Sequence, residues 1–360
     1  MDTGFASVAQ DVHCAGNESA GMRLSKKAFM ANPGPLNSIL DVSGLKVGQA
    51  QDDHVHTGVT VILPDARAIA AVDVRGGGPG TRETDALAAH TLVDAVDAIV
   101  LSGGSSYGLA AADGVAASLG ASGRGFALMD LPGVPKSPVV PAAILYDLAN
   151  GGDKAWGETP PYAALGKAAL AAASEPLRLG SSGAGNGARA GTHVGGTGSA
   201  SFVTEDGLTI GALVCVNSFG SVTMPGEDQL YWAWPWEVDT EFGGQRPGEN
   251  WQANADDWGA AKINPGIREN TTIACVATDV ALTPSQAQRL AIMAQDGLAR
   301  AIRPVHTPFD GDVVFALSTA RNPCGEIDDV ILARLGSLAA DCIARAVARG
   351  VFHARQGTHG

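Results

Sequence analysis

Apolar positions fall into short dense runs and longer spaced ones, and the two kinds alternate from Leu45 onward. Runs at 59–63 and 68–74 are short and bounded by turn formers, which predicts strands. The stretch 86–96 has the spacing of a helix. A buried strand is predicted at 98–101; it runs into Gly103-Gly104, and a helix follows from about Ser105 to Leu119. A strand at 139–145 and a helix at 162–173 come next. Residues 1–40, by contrast, show little periodicity and read as a loose arm.

The second half begins with a glycine-rich stretch at 179–201, then strands near 199–204 and 208–216. Order fades over 225–269, a polar segment holding five of the six tryptophans (Trp232, Trp234, Trp236, Trp251, Trp258). A loop that long in a compact domain is usually functional or a linker. The pattern returns sharply at 271–280, a β-branched strand. Thr283-Pro284-Ser285-Gln286 has the form of a capping box and predicts a helix running to about Ile302. A strand at 312–317 and an amphipathic helix at 330–348 complete the chain. Mixed strands and helices, with hairpin-like strand pairs, favour a layered α/β fold.

Composition narrows the function classes. The chain has 360 residues, 45 % apolar and 17 % charged, as expected of a globular protein. A formal charge of −13 argues against nucleic acid or an anionic membrane as partner, because both require a basic face. The five cysteines form no CxxC pair, so neither a zinc cage nor a disulfide framework is suggested, and Cys215, Cys275 and Cys342 in apolar runs read as core thiols. No leader-like or membrane-spanning run is visible, which makes the cytoplasm the expected location.

The candidate chemistry lies where the long loop meets the strand, at Arg268-Glu269-Asn270-Thr271-Thr272. A self-processing hydrolase needs a Ser, Thr or Cys directly after its scissile bond. The hydroxyl attacks the preceding carbonyl, the ester hydrolyses, and a free α-amine appears beside the nucleophile. With an ordinary pKa of about 7.7–8.0, that amine can accept the hydroxyl proton near neutral pH. On local sequence alone Thr271 reads rather as an ordinary strand start, and Asn270-Thr271-Thr272 also matches a glycosylation sequon.

Four segments add to this: ENTTIACVATDVALT, HTPFDGDVVFALST, VLSGGSSYGLAAADGV and ALVCVNSFG. In this combination the chain resembles the DmpA/P1 family of self-processing aminopeptidases from about Leu45 to Ala348. Its Asn-Thr-Thr junction is most similar to the 6-aminohexanoate-oligomer (nylon oligomer) endohydrolases. The resemblance implies a four-layer αββα sandwich of the DmpA/ornithine-acetyltransferase type, spanning 41–360. It would be cut into a large subunit 1–270 and a small subunit 271–360, with 225–269 as the processing loop. It implies Thr271 as nucleophile, Asn217 as oxyanion donor, and Asp310 and Asp312 as supports of the nucleophile and its amine. Tyr146, Tyr107 and Arg189 would line the substrate pocket. No metal or organic cofactor is implied; the partners would be a short peptide or oligoamide and further copies of the processed protomer, four in all. One departure concerns the substrate: where the nylon-oligomer hydrolases carry a functional lysine, this chain has Thr192, with Arg189 as the nearest cation in sequence.

Other readings remain open at this point. Gly104-Ser105-Ser106-Tyr107-Gly108 matches the serine-hydrolase elbow, with Asp310 and His353 as partners, although His353 and His359 fall in what reads as a frayed tail. The run 183–188 matches G-x-G-x-x-A with Glu205 downstream, as a dinucleotide oxidoreductase would, but no apolar strand precedes it. His306 near the two aspartates gives a weak metal pattern. An acyltransferase on the same fold would also self-cleave before a threonine. The tryptophans could anchor an interface or cover the pocket, or simply tie the loop to its own domain.

Overall fold

The computed structural model describes residues 30–93, 95–129, 131–262, 270–323 and 327–357. Most of the predicted arm, Cys14, Arg268, Glu269, Cys324 and His359 lie outside the described residues. The longer strands of the two main sheets are β1 (Leu45–Asp52), β2 (Thr57–Pro64), β3 (Ile69–Val74), β4 (Ile99–Ser102), β5 (Ala142–Ile144), β6 (Gly196–Thr204), β7 (Thr209–Asn217), β8 (Thr271–Thr278) and β9 (Val313–Ser318). The main helices are α1 (Ala110–Ala121), α2 (Tyr162–Ala171), α3 (Pro284–Ala301) and α4 (Asp329–Gly357).

Side-chain alternation along the strands builds the layers. One sheet has the order β1-β2-β4-β5, ending on the short pair Thr81–Arg82. The other runs from Ala31–Asn32 through β6-β7-β8-β9 to β3. In β8, Ile273, Cys275 and Ala277 face the first sheet and share a core with Ile62, Leu101 and Leu145. The intervening Ala274 and Val276 face outward and pack with α3 and α4 through Leu290, Leu298 and Ile343. In β2, Val59 and Val61 likewise turn outward, onto Ala112 and Val115 of α1 and Ala169 of α2. Both sheets are therefore buried on both faces, and the layers run αββα. Apolar residues at i and i+2 of each strand serve one layer, and the residues between them serve the next.

Several predicted elements take another form. The helix expected at 86–96 is a single 3-10 turn, Asp85–Leu87, followed by further turns. The Thr91 hydroxyl donates to the carbonyls of Ala86 (2.7 Å) and Ala88 (2.9 Å), capturing acceptors that a continuing helix would use. The strand expected at 139–145 narrows to Ala142–Ile144, because Pro141 has no N–H to give the ladder. The stretch 30–40 is not loose: Ala31–Asn32 pairs with β6, and Ser38 caps a 3-10 turn whose Ile39 is fully buried. Within 225–262, Glu227–Tyr231 forms a strand against Thr223–Met224. The end of the chain is not frayed as far as Gly357, since α4 continues past residue 348 with Val351 and Ala354 still buried.

Among the described residues, no helix is long and apolar enough to cross a membrane. Cys215, Cys275 and Cys342 are free and buried, and burial pushes the Cys215 and Cys342 thiols up to about 12, so they act as core side chains.

Candidate active site

β8 begins at Thr271, whose partner across the antiparallel ladder is Asn217, the last residue of β7. Both are buried. Odd-numbered residues of β8 face the other sheet, so Thr271 lies on that side at the end of the layer. Its hydroxyl donates a short hydrogen bond to the Asn270 carbonyl oxygen. Asn270 is itself buried, and its side-chain oxygen accepts from Lys262 Nζ at 2.7 Å.

Asn217 is fixed in one orientation by its partners. Its Oδ1 accepts from the Arg189 backbone N–H (2.8 Å) and from Asn150 Nδ2 (3.2 Å), while Nδ2 donates to the Tyr146 carbonyl (2.9 Å). The Tyr146 contact links the ends of the two sheets. Backbone donors require the oxygen to face them, so the amide nitrogen is turned toward Tyr146.

Asp310 and Asp312 flank Gly311 just before β9, which runs parallel to β8. A Cβ on Gly311 would stand 2.7 Å from Thr271 Oγ1. The Asp-Gly-Asp turn thus brings bare backbone against the Thr271 hydroxyl, and its two carboxylates reach different partners. Asp312 Oδ1 accepts from the Thr272 N–H at 2.8 Å, and Oδ2 accepts from the His306 N–H at 3.1 Å and its Nδ1 at 2.8 Å. Asp310 Oδ1 accepts from the Phe219 N–H at 3.1 Å, and Oδ2 accepts from the Thr307 N–H and hydroxyl at 2.9 and 2.6 Å. Both carboxylates are buried. Burial, and then the charge of Asp312, push Asp310 up to about 6. Gly76, Gly77 and Gly78 hold this turn in place with backbone N–H bonds to the carbonyls of Asp312, Thr307 and Asp310.

The structure therefore brings Thr271, Asn270, Asn217, Asp310, Asp312 and the Tyr146 backbone together. Tyr107 sits on the neighbouring turn after β4, half exposed and edge-on to Trp156 at 5.6 Å. Arg189 contributes its backbone; its guanidinium donates to the Thr192 carbonyl at 3.0 Å. Among the described residues, the cation at the junction is instead Lys262, which sequence reasoning missed, as it missed Asn150. The glycine run at 75–80 was visible in the sequence but carried no obvious partner.

The competing patterns are not assembled. Ser106 precedes α1, outside the β1-β2-β4-β5 sheet, whereas His353 lies on α4, outside the other sheet. Asp147 accounts for the glycine turn: its carboxylate accepts from Gly104 N–H (2.8 Å) and the Thr57 hydroxyl (2.6 Å) beneath Gly104 at φ 86°. The run at 183–188 leads into the short strand Arg189–Ala190 instead of a helix whose N-terminus could hold a pyrophosphate. Among the described residues, no group of three His, Cys, Asp or Glu side chains could hold a metal ion.

The profile of Peptidase family S58 matches residues 37–360. The chain belongs to this family. As an S58 peptidase it is a hydrolase of peptide or amide bonds. It is 43 % identical over 339 residues to an uncharacterized aminopeptidase of Mycobacterium tuberculosis, covering 89 % of this chain and 95 % of that protein. It is 32 % identical over 289 residues to a 6-aminohexanoate-oligomer endohydrolase of Agromyces sp., covering 78 % and 74 %. A β-aminopeptidase of Burkholderia sp. superposes with a TM-score of 0.63 at 25 % identity, covering 89 % of this S58 chain and 88 % of its own. The L-aminopeptidase D-Ala-esterase/amidase of Ochrobactrum anthropi, a variant of the Ntn-hydrolase fold, superposes with a TM-score of 0.64 at 24 % identity, covering 91 % and 88 %. The αββα architecture expected from the sequence is thus the fold of these aminopeptidases.

Proposed function

We propose that this S58 peptidase cuts its own chain between Asn270 and Thr271 and then works as an aminopeptidase with Thr271 as amino-terminal nucleophile. The observation that carries the reading is the Thr271 hydroxyl resting on the Asn270 carbonyl at the first residue of a buried central strand. In self-cleavage, Thr271 Oγ adds to the Asn270 carbonyl carbon, the C–N bond breaks, and the acyl group moves to oxygen as an ester. Water hydrolyses the ester, releasing Asn270 as a carboxylate and Thr271 with a free amine.

In turnover the amine accepts the hydroxyl proton as Oγ attacks the substrate carbonyl. Asn217 Nδ2 donates to the oxyanion; losing such a donor costs about 2.7–4 kcal/mol in a comparable enzyme. Asp312 holds the backbone beside the nucleophile through Thr272, and Asp310 braces the same turn, so the pair orients amine and hydroxyl. The leaving amine takes the proton, and water frees the acyl group. The scheme uses only side chains, backbone and water. Tyr146 and Tyr107 flank the approach to the site.

Short peptides, amino-acid amides and β-peptides are the proposed substrates, in keeping with the aminopeptidase relatives. Endo-cleavage of 6-aminohexanoate oligomers is the second reading, favoured by the relative that bears that name. A panel of amino-acid amides, β-peptides and aminohexanoate oligomers separates the two, since an aminopeptidase requires a free amine on the residue it removes. We propose a cytoplasmic homotetramer of processed protomers, to be checked by light scattering.

The deciding experiment is intact mass under denaturing conditions for wild type beside Thr271→Ala. Two fragments ending at Asn270 and starting at Thr271, absent from the variant, are expected. One uncut species in both, with full amidase activity, would exclude the mechanism.

A further inference from the structure

We propose that Lys262 recognises the side chain on the acyl side of the bond being cut, first that of Asn270 and afterwards that of the substrate. This rests on Thr271 being the nucleophile. In the uncut chain, Asn270 is the residue whose carbonyl the Thr271 hydroxyl addresses. Its side chain therefore marks where the side chain of a substrate's acyl residue lies. Among the described residues, that side chain meets the cation Lys262, whose Nζ lies 2.7 Å from Oδ1.

Lys262 does not depend on the 270–271 bond for its position. Its own N–H donates to the Phe219 carbonyl at 3.0 Å, the Thr192 N–H donates to the Ala260 carbonyl at 2.8 Å, and the Ala261 N–H donates to the Trp258 carbonyl at 3.2 Å. Ala261 between them is buried. Residues 258–262 are thus stitched to the body of the protein, and the Lys262 backbone keeps its place when the junction is cut, leaving the ammonium within reach of the site.

Lys262 also lines a cavity of about 490 Å³ with Phe219, Trp258, Thr307 and Phe309, and with Asp256 and Asp257. Phe219 packs against Phe309 at 5.5 Å and Trp258 at 6.0 Å between ring centroids. Phe219 and Thr307 are the residues that hold Asp310, so the cavity adjoins the site. An ammonium at the edge of an aromatic wall selects a short side chain ending in an acceptor oxygen. Asparaginyl and aspartyl amides have this chemistry, the carboxylate adding charge to the hydrogen bond. A leucyl amide fills similar space but leaves the ammonium without that acceptor.

The test uses the full chain as wild type, Lys262→Met and Lys262→Arg. Self-cleavage is followed by intact mass, with Thr271→Ala as the uncut reference. Once processing is complete, kcat/KM is measured for the p-nitroanilides of L-asparagine, L-aspartate and L-leucine. Loss of a hydrogen bond from a charged donor should slow self-cleavage of K262M by about tenfold or more and lower its asparagine-to-leucine ratio by a similar factor. K262R, which keeps the cation and its donors, should retain most of the ratio. The ratio is taken within one sample, so a partly unfolded variant does not change it. A ratio unchanged in K262M overturns the inference while leaving Thr271 as nucleophile. A wild-type chain that never cuts itself overturns the proposed mechanism, and this inference with it.

Discussion

At the residue scale, the site depends on a position with no side chain. A Cβ on Gly311 would stand 2.7 Å from both Thr271 Oγ1 and the Gly78 carbonyl oxygen. Any side chain there would meet the Thr271 hydroxyl, so the turn that carries both aspartates can lie against it only with glycine between them. Confinement has an electrostatic consequence for Asp310, raised from an ordinary 3.8 to about 6 by burial and by Asp312. The folded state then holds a proton that the unfolded state has released between those pH values. The stability this carboxyl contributes is fully present below 3.8 and is lost as pH rises through about 6. Asp310→Asn is neutral throughout. Chemical denaturation from pH 4 to 7 should show wild type losing stability relative to the variant, by roughly 3 kcal/mol at most. A difference constant over that range would remove the assignment.

At the scale of elements, α3 starts as its sequence specifies: Gln286 N–H donates to Thr283 Oγ1 at 3.3 Å, and Thr283 N–H to Gln286 Oε1 at 2.9 Å. α4 is docked by a contact that no local pattern announces. The fully buried Arg345 donates to both oxygens of Glu241 (2.6 and 3.0 Å), to the Ser201 carbonyl (2.9 Å) and to Asn37 Oδ1 (2.8 Å). One side chain thus joins α4 to β6, the 30–40 stretch and the tryptophan-rich segment. Arg345→Met should cost about 3–5 kcal/mol in urea unfolding, because Glu241 is left desolvated beside fewer partners. Adding Glu241→Gln should restore part of the loss; a single variant as stable as wild type would show that the network contributes nothing.

For the molecule as a whole, the proposed cut falls between neighbouring strands of one sheet. The 271–360 piece supplies β8, β9, α3 and α4, while β7 on one side and β3 on the other belong to the first piece. β8 pairs with β7 from Asn217↔Thr271 to Ile210↔Thr278. The tryptophan-rich segment is bound across the same divide, with Arg300 over Trp236 and Arg303 over Trp232, each at 5.3 Å. Separating the pieces would expose both faces of a buried sheet. Processed protein should therefore elute from a native sizing column as one species containing both fragments and separate only in denaturant. Dissociation in native buffer would show that the shared core does not hold them.

Strand alternation, the Thr283 capping box and four motif segments were legible in the sequence because each is a local or periodic signal. The layered fold followed from them, as did Thr271, Asn217 and the aspartate pair as candidates. The pattern at 86–96 misled because one threonine hydroxyl redirected the local carbonyls. What the chain could not disclose locally were contacts between residues distant along it: Asn150 on Asn217, the 76–78 glycines on the 307–312 turn, and Arg345 across three segments. The same holds for Ser106 and His353, whose motif is sound locally but whose layers are opposite. Period and capping act over a few residues, so the sequence alone determined most of the elements, and its motif segments offered Thr271 as the candidate nucleophile. Which polar groups meet in the buried space between elements depends on how the sheets stack, and only the tertiary structure decided that.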